Sequence, residues 1–166
     1  MAAYRRGLEA RPDHARLLLG LANAQRDAGD LVGAISSYRQ SVAVESRAPL
    51  AWVNLGITLS SLGDTTAAIE AFSHALALDA SETLAWFNLA NIHFVRGDLA
   101  RAASMYERTA ALDPGIALAH FQLARVALLR RDEPAALAHL RRGLAFDSAD
   151  ASARAMAAAL AARVQK

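Results

Sequence analysis

At 166 residues and 17.6 kDa, with 54% hydrophobic side chains, the chain has the material for a core of its own and is not a disordered tail. Its 18 basic and 16 acidic side chains leave a net charge of +2, too near balance to mark a nucleic-acid binder. It has no cysteine, which excludes disulfide frameworks, thiol nucleophiles and zinc sites built on thiolates.

The chain opens on a segment, residues 1–14, in which Arg5, Arg6, Pro12 and Asp13 stand where a secretory leader needs a continuous apolar run. Nor does any later window approach the roughly 18 to 20 uninterrupted apolar residues of a membrane span, since Asn88, Asn91 and His93 break the most apolar one. The sequence reads as that of a soluble, cytoplasmic protein, and its 17 arginines against a single lysine, Lys166, suggest a bacterial source.

From Ala15 the chain repeats itself. The stretch AWVNLG at 51–56 returns as AWFNLA at 85–90, 34 residues on, and cutting at that interval gives four repeats in register: 15–48, 49–82, 83–116 and 117–150. Their fourth place holds Leu18, Trp52, Trp86 and His120, the seventh Leu21, Leu55, Leu89 and Leu123, and the eighth Ala22, Gly56, Ala90 and Ala124. Spacings of three and four put these places on one stripe of a helix. A turn follows, with Gly29-Asp30, Gly63-Asp64 and Gly97-Asp98, where glycine takes a left-handed conformation and aspartate caps the next helix.

The fourth turn has Arg131 in place of glycine. Either the arginine bears the left-handed conformation, at about 1 kcal/mol or more, or this turn differs from the rest. Asp132, Glu133 and Pro134 behind it still make a good helix start. The second helix of each repeat carries Ala34, Ala68, Ala102 and Ala136, then Tyr38, Phe72, Tyr106 and Leu140, then Ser41, Ala75, Thr109 and Gly143. Small and large residues alternate on one face, as two closely packed helices require. The repeats close on turns that include Asp79 and Asp113, with Pro114 where a new helix can begin, and residues 151–166 have the alanine-rich composition of a terminal capping helix.

A 34-residue period with Trp, Leu, Gly or Ala, then Gly-Asp, then Ala, Tyr or Phe and Asp-Pro resembles the tetratricopeptide repeat. The resemblance covers nearly the whole chain. It implies an all-α, right-handed superhelical solenoid of antiparallel helix hairpins, with one half repeat at 1–14 (Tyr4, Gly7 and Pro12 at matching places), four full repeats and the capping helix. Starting in mid-repeat, the chain is either part of a longer array or begins with a degenerate cap.

The resemblance also assigns the second, fifth, sixth, ninth, twelfth and thirteenth places of each repeat to a concave groove. The sixth place holds Gly20, Asn54, Asn88 and Gln122, and the ninth adds Asn23, Asn91 and Arg125. An amide both donates and accepts, so such a ladder can hold a peptide backbone without reading its side chains. First helices stacked at roughly 10 Å would offer an extended chain one amide every three residues. Around the amides stand Leu50, Val53, Leu84, Phe87, Phe94, Leu118 and Phe121, an apolar surface that calls for a cover: a partner peptide or helix, the chain's own terminal helix, or a second copy. The bland alternative is that these asparagines and apolar side chains hold neighbouring helices together.

At the places that grip acidic C-termini in related co-chaperones stand Asn23, Asn54 and Asn88 with no basic residue, which argues against a carboxylate clamp. No grouping of residues implies a nucleophile, acid–base pair, cofactor or metal, and single aspartates at turns read as caps. His93 and His120, on successive first helices, fill places the repeat gives to packing aromatics; a metal or proton-switch pair there is the minor alternative. The chain lacks basic residues between Arg47 and Arg96 and becomes basic from Arg125 onward, without the aromatics that nucleic-acid stacking needs. The expected function is a non-catalytic scaffold binding a protein partner; the alternatives are a substrate-recognition arm of a larger enzyme, such as a glycosyltransferase, and a self-associating module.

Overall fold

A computed structural model describes residues 1–164. Among these residues it contains ten helices and no strand. The chain divides into two compact units, Met1–Ala85 and Trp86–Lys166. The first holds α1 (Ala2–Ala10), α2 (Ala15–Asp27), α3 (Leu31–Val44), α4 (Pro49–Ser61) and α5 (Thr65–Leu78); the boundary falls within α6 (Thr83–Val95). The second holds α7 (Leu99–Leu112), α8 (Ala117–Leu129), α9 (Glu133–Phe146) and α10 (Ala151–Val164).

Each 34-residue repeat is a helical hairpin because its two small-residue stripes meet. Ala34, Ala68, Ala102 and Ala136 are wholly buried, as are Ala22, Ala90 and Ala124 opposite them. The leucines of the seventh place and the large residues four beyond each alanine, Tyr38, Phe72, Tyr106 and Leu140, complete the buried layer. In the N-terminal unit Gly56 lets the ring of Phe72 close on α4, since a Cβ there would lie 2.7 Å from the ring. In the C-terminal unit Gly143 makes the same room for Phe121, and a second cluster gathers Leu137, Leu140, Ala153 and Leu160 beneath α10.

The turns follow the sequence expectation. Gly29, Gly63 and Gly97 have φ of 83°, 89° and 78°, and Arg131 takes the same left-handed conformation at φ 61°. Of the two outcomes for the fourth turn, the structure shows the strained one. Asp30, Asp64, Asp98 and Asp132 each accept a hydrogen bond from the backbone N–H three residues on, at 2.9, 3.1, 3.1 and 3.0 Å, which satisfies one of the orphan donors of a helix start. Asp150 caps α10 in the same way at 2.8 Å.

The turns between repeats have their own device. The carboxylate of Asp79 accepts from the Ser81 N–H at 2.8 Å and from its hydroxyl, and these bonds hold its pKa below the usual range; Asp113 accepts from the Gly115 N–H at 3.0 Å. Pro114 therefore lies in this turn, and α8 starts three residues later at Ala117.

Candidate partner-binding face

The first helices keep one stripe out of the hairpin cores. Leu50, Leu84 and Leu118, at the second place of three consecutive repeats, are 53%, 49% and 51% exposed. Val53 does not share that face: its side chain is completely buried, so it packs within the hairpin and cannot touch a partner. Phe87, Phe94 and Phe121 are half-buried. Phe87 tilts against Tyr106 with ring centroids 5.6 Å apart, and Phe94 lies under the Arg125 guanidinium, whose carbon is 4.8 Å from the ring centroid.

Four amides of the expected ladder are tied into the protein through their oxygens. In the N-terminal unit the Tyr38 hydroxyl donates to Asn23 Oδ1 at 2.6 Å, Asn54 Nδ2 reaches the same oxygen at 3.4 Å, and Arg26 Nη1 donates to Asn54 Oδ1 at 3.4 Å. In the C-terminal unit the Tyr106 hydroxyl donates to Asn91 Oδ1 at 2.6 Å, and Arg125 Nη1 donates to Gln122 Oε1 at 2.8 Å. Asn88 is half-buried on α6.

Both tyrosines stay neutral donors. Burial raises the Tyr38 pKa, with the charge of Arg26 opposing, and pushes that of Tyr106 up to about 12 against the opposing charge of Arg125. Each bond pins an amide with its NH2 turned away from the tyrosine.

The C-terminal unit has a cavity of about 180 Å³ on this face, lined by Leu118, Phe121, Gln122 and Arg125 of α8 and closed by Leu140 and Met156. Sequence reasoning missed Leu140 and Met156, because the latter belongs to the terminal helix, outside the period. Larger cavities, about 300 and 470 Å³, open in the N-terminal unit on another side, along α3 and α4, with Arg39 and Leu59 common to both and α5 lining the smaller one. Volume alone therefore does not single out the face that carries the expected residues.

A family model described as the tetratricopeptide repeat matches residues 2–51, 34–82, 53–117 and 87–151. The chain belongs to the tetratricopeptide-repeat family. Among solved structures, this tetratricopeptide chain is similar to that of MamA, at 24% identity and a TM-score of 0.83, over 91% of this chain and 88% of that one. It is also similar to YrrB, described as a TPR protein with an unusual peptide-binding site, at 18% identity and a TM-score of 0.80, over 98% and 84% of the two chains. A third is pilF of Pseudomonas aeruginosa, at 16% identity and a TM-score of 0.79, over 91% and 69%. At these identities the likeness is one of fold. No curated protein matches the sequence.

The histidines of this tetratricopeptide chain are placed differently from the pairing weighed in the sequence. His93 Nδ1 lies 3.8 Å from the Asp98 carboxylate, while His120 stacks on His139 with centroids 6.2 Å apart and on Phe146 at 6.4 Å. His120 thus fills an aromatic packing place. Trp52, in the corresponding place of the second repeat, stacks on His74 at 4.5 Å and donates from Nε1 to the Ser46 carbonyl at 2.9 Å. No group of three or more His, Asp or Glu side chains positioned to hold a metal is found among the described residues. No helix among them is long and apolar enough to cross a membrane.

Proposed function

We propose that this chain is a non-catalytic interaction module whose first-helix faces take an extended peptide or a short helix of a partner protein. The observation that carries the reading is a row in the repeat register, the second-place leucines Leu50, Leu84 and Leu118. In the same three first helices the seventh-place leucines, Leu55, Leu89 and Leu123, are buried, whereas these second-place leucines are each about half exposed. An apolar side chain kept at the surface in three successive repeats is what a docking face needs and a solvated face does not.

Chemistry beside the row supports a peptide. The oxygens of Asn23, Asn91 and Gln122 accept internal bonds, which orients the amides in advance and leaves their NH2 groups as donors for carbonyl oxygens of a bound backbone; Asn54, whose Nδ2 also reaches Asn23, keeps one N–H for that role. In the C-terminal unit the cavity beside Leu118 and Phe121 has room for one apolar side chain, and Arg125 at its rim offers a cation to a carbonyl or carboxylate. A face built on these donors selects acceptors.

The test is selection of a displayed random peptide library on the purified chain, followed by titration of the enriched peptides against Leu118→Asp and Gln122→Ala. Affinity should fall at least about tenfold for Leu118→Asp, the loss of a hot-spot contact, with unchanged circular dichroism. Peptides that bind both variants as tightly as the parent chain would refute the assignment.

A further inference from the structure

The fourth hairpin contains a polar cluster that partner binding does not use. His120 on α8 and His139 on α9 face each other with rings 26° from parallel, and Phe146 lies nearly parallel to His120, at 7°. His120 is only 8% exposed. The Nδ1 atoms of both rings are cut off from solvent and have no hydrogen-bond partner among the described residues. An imidazole tolerates one orphaned nitrogen while neutral, since that atom can be a bare lone pair. Once protonated, both nitrogens carry N–H donors and the ring carries a charge, so the same burial becomes far more costly.

We infer that the His120–His139 pair is an acid-sensitive latch, holding α8 against α9 near neutral pH and releasing the fourth hairpin, with the α10 that packs on it, as the solution is acidified. The charged groups around the pair agree on the sign for His120 and are mixed for His139. Burial lowers the His120 pKa, and the Arg142 guanidinium on α9 lowers it further. Burial likewise lowers that of His139, helped by Arg142 and by His120 itself; Glu107 on α7 and Asp132 at the start of α9 pull the other way and are outweighed.

The direction of the linkage follows. A histidine whose pKa is depressed in the folded hairpin binds fewer protons there than in the open chain. Its contribution to stability is whole above the unfolded value, about 6.5, and is lost as pH falls through that value towards the folded one. Two such groups in one hairpin act together, and a charge on either ring raises the cost of charging the other. The left-handed Arg131 in the α8–α9 turn makes this hairpin the one already bearing backbone strain.

The experiment is amide hydrogen exchange on the full chain at pH 7 and pH 5, corrected for intrinsic exchange rates, with the His120→Phe/His139→Gln double variant beside it. Protection in α8, α9 and α10 should fall several-fold between the two pH values relative to α2–α5, and the double variant should abolish that difference. Equal changes in both regions, or a difference that persists in the variant, would overturn the latch. Should the double variant fail to fold, NMR titration of the imidazoles in the unaltered chain decides: both rings titrating below about 6.5 supports it, and either titrating at or above that value defeats it.

Discussion

The Tyr106–Asn91 bond can be taken apart with substitutions that the protein itself supplies. Tyr106 is wholly buried and its hydroxyl donates to Asn91 Oδ1 at 2.6 Å. Tyr106→Phe removes the donor, and because Asn91 is only partly buried, water can replace it; the expected loss is about 1 kcal/mol. Asn91→Ile instead strands a buried hydroxyl, at about 1–3 kcal/mol, less a part recovered by the added apolar surface. The double variant recreates the pairing of the second repeat, where Phe72 accompanies Ile57 at the same two places, and no polar atom is left over. It should therefore be more stable than the sum of the single losses by about 1–2 kcal/mol, a coupling of the size seen for residues in direct contact. Urea denaturation of the four proteins measures it. Single losses that add to the double within about 0.5 kcal/mol would refute the claim that the bond, rather than each side chain alone, matters.

Three further perturbations test the hairpins. Arg131→Gly removes a left-handed conformation costing an L residue roughly 1–2 kcal/mol, against about 0.5–1 kcal/mol of added freedom in the unfolded chain, so thermal melting should rise by a few degrees; a fall would mean that the Arg131 side chain stabilises the turn. Gly56→Ala should destabilise more than Gly143→Ala, both by up to about 2 kcal/mol after the gain in helix propensity, because Phe72 is fully enclosed whereas Phe121 is half-buried and can swing aside; equal losses by denaturant titration would contradict the packing. Asp98→Ala deprives the Arg101 N–H of its cap and should cost about 1 kcal/mol, with exchange at the start of α7 rising first; unaltered protection there would show that the cap is dispensable.

The hairpins were legible in the sequence because a 34-residue period tests each place four times. A stripe of Ala34, Ala68, Ala102 and Ala136 cannot be accidental, and the turn aspartates stand where helix starts need an acceptor. The candidate face was harder to read, because places that the repeat assigns to a groove also serve packing. Val53, assigned by its place in the repeat to the partner surface, is enclosed, whereas Leu50 three residues earlier is half exposed; one helical turn separates the two environments and period alone does not resolve them.

The asparagines carried a signal that went unread. Asn occupies the ninth place only in the first and third repeats, the two in which the second helix brings a tyrosine 15 residues later; the second repeat has Ile57 with Phe72, and the fourth Arg125 with Leu140. A polar residue matched by a phenol, and an apolar one by a phenyl ring, betrays a contact. The pairing of His120 with His139 was hidden for a different reason. Both sit in ordinary helical places, and only the antiparallel approach of α8 and α9 brings them together.

The most direct test of the central claim, that the first-helix faces are the docking surface, is a methyl NMR map of the chain with a selected peptide. The account predicts that the leucine methyls of Leu50, Leu84 and Leu118 shift on binding, while those of Val32 and Leu62, exposed elsewhere on the chain, stay in place. Shifts confined to Val32 and Leu62, with the row of Leu50, Leu84 and Leu118 unmoved, would contradict it.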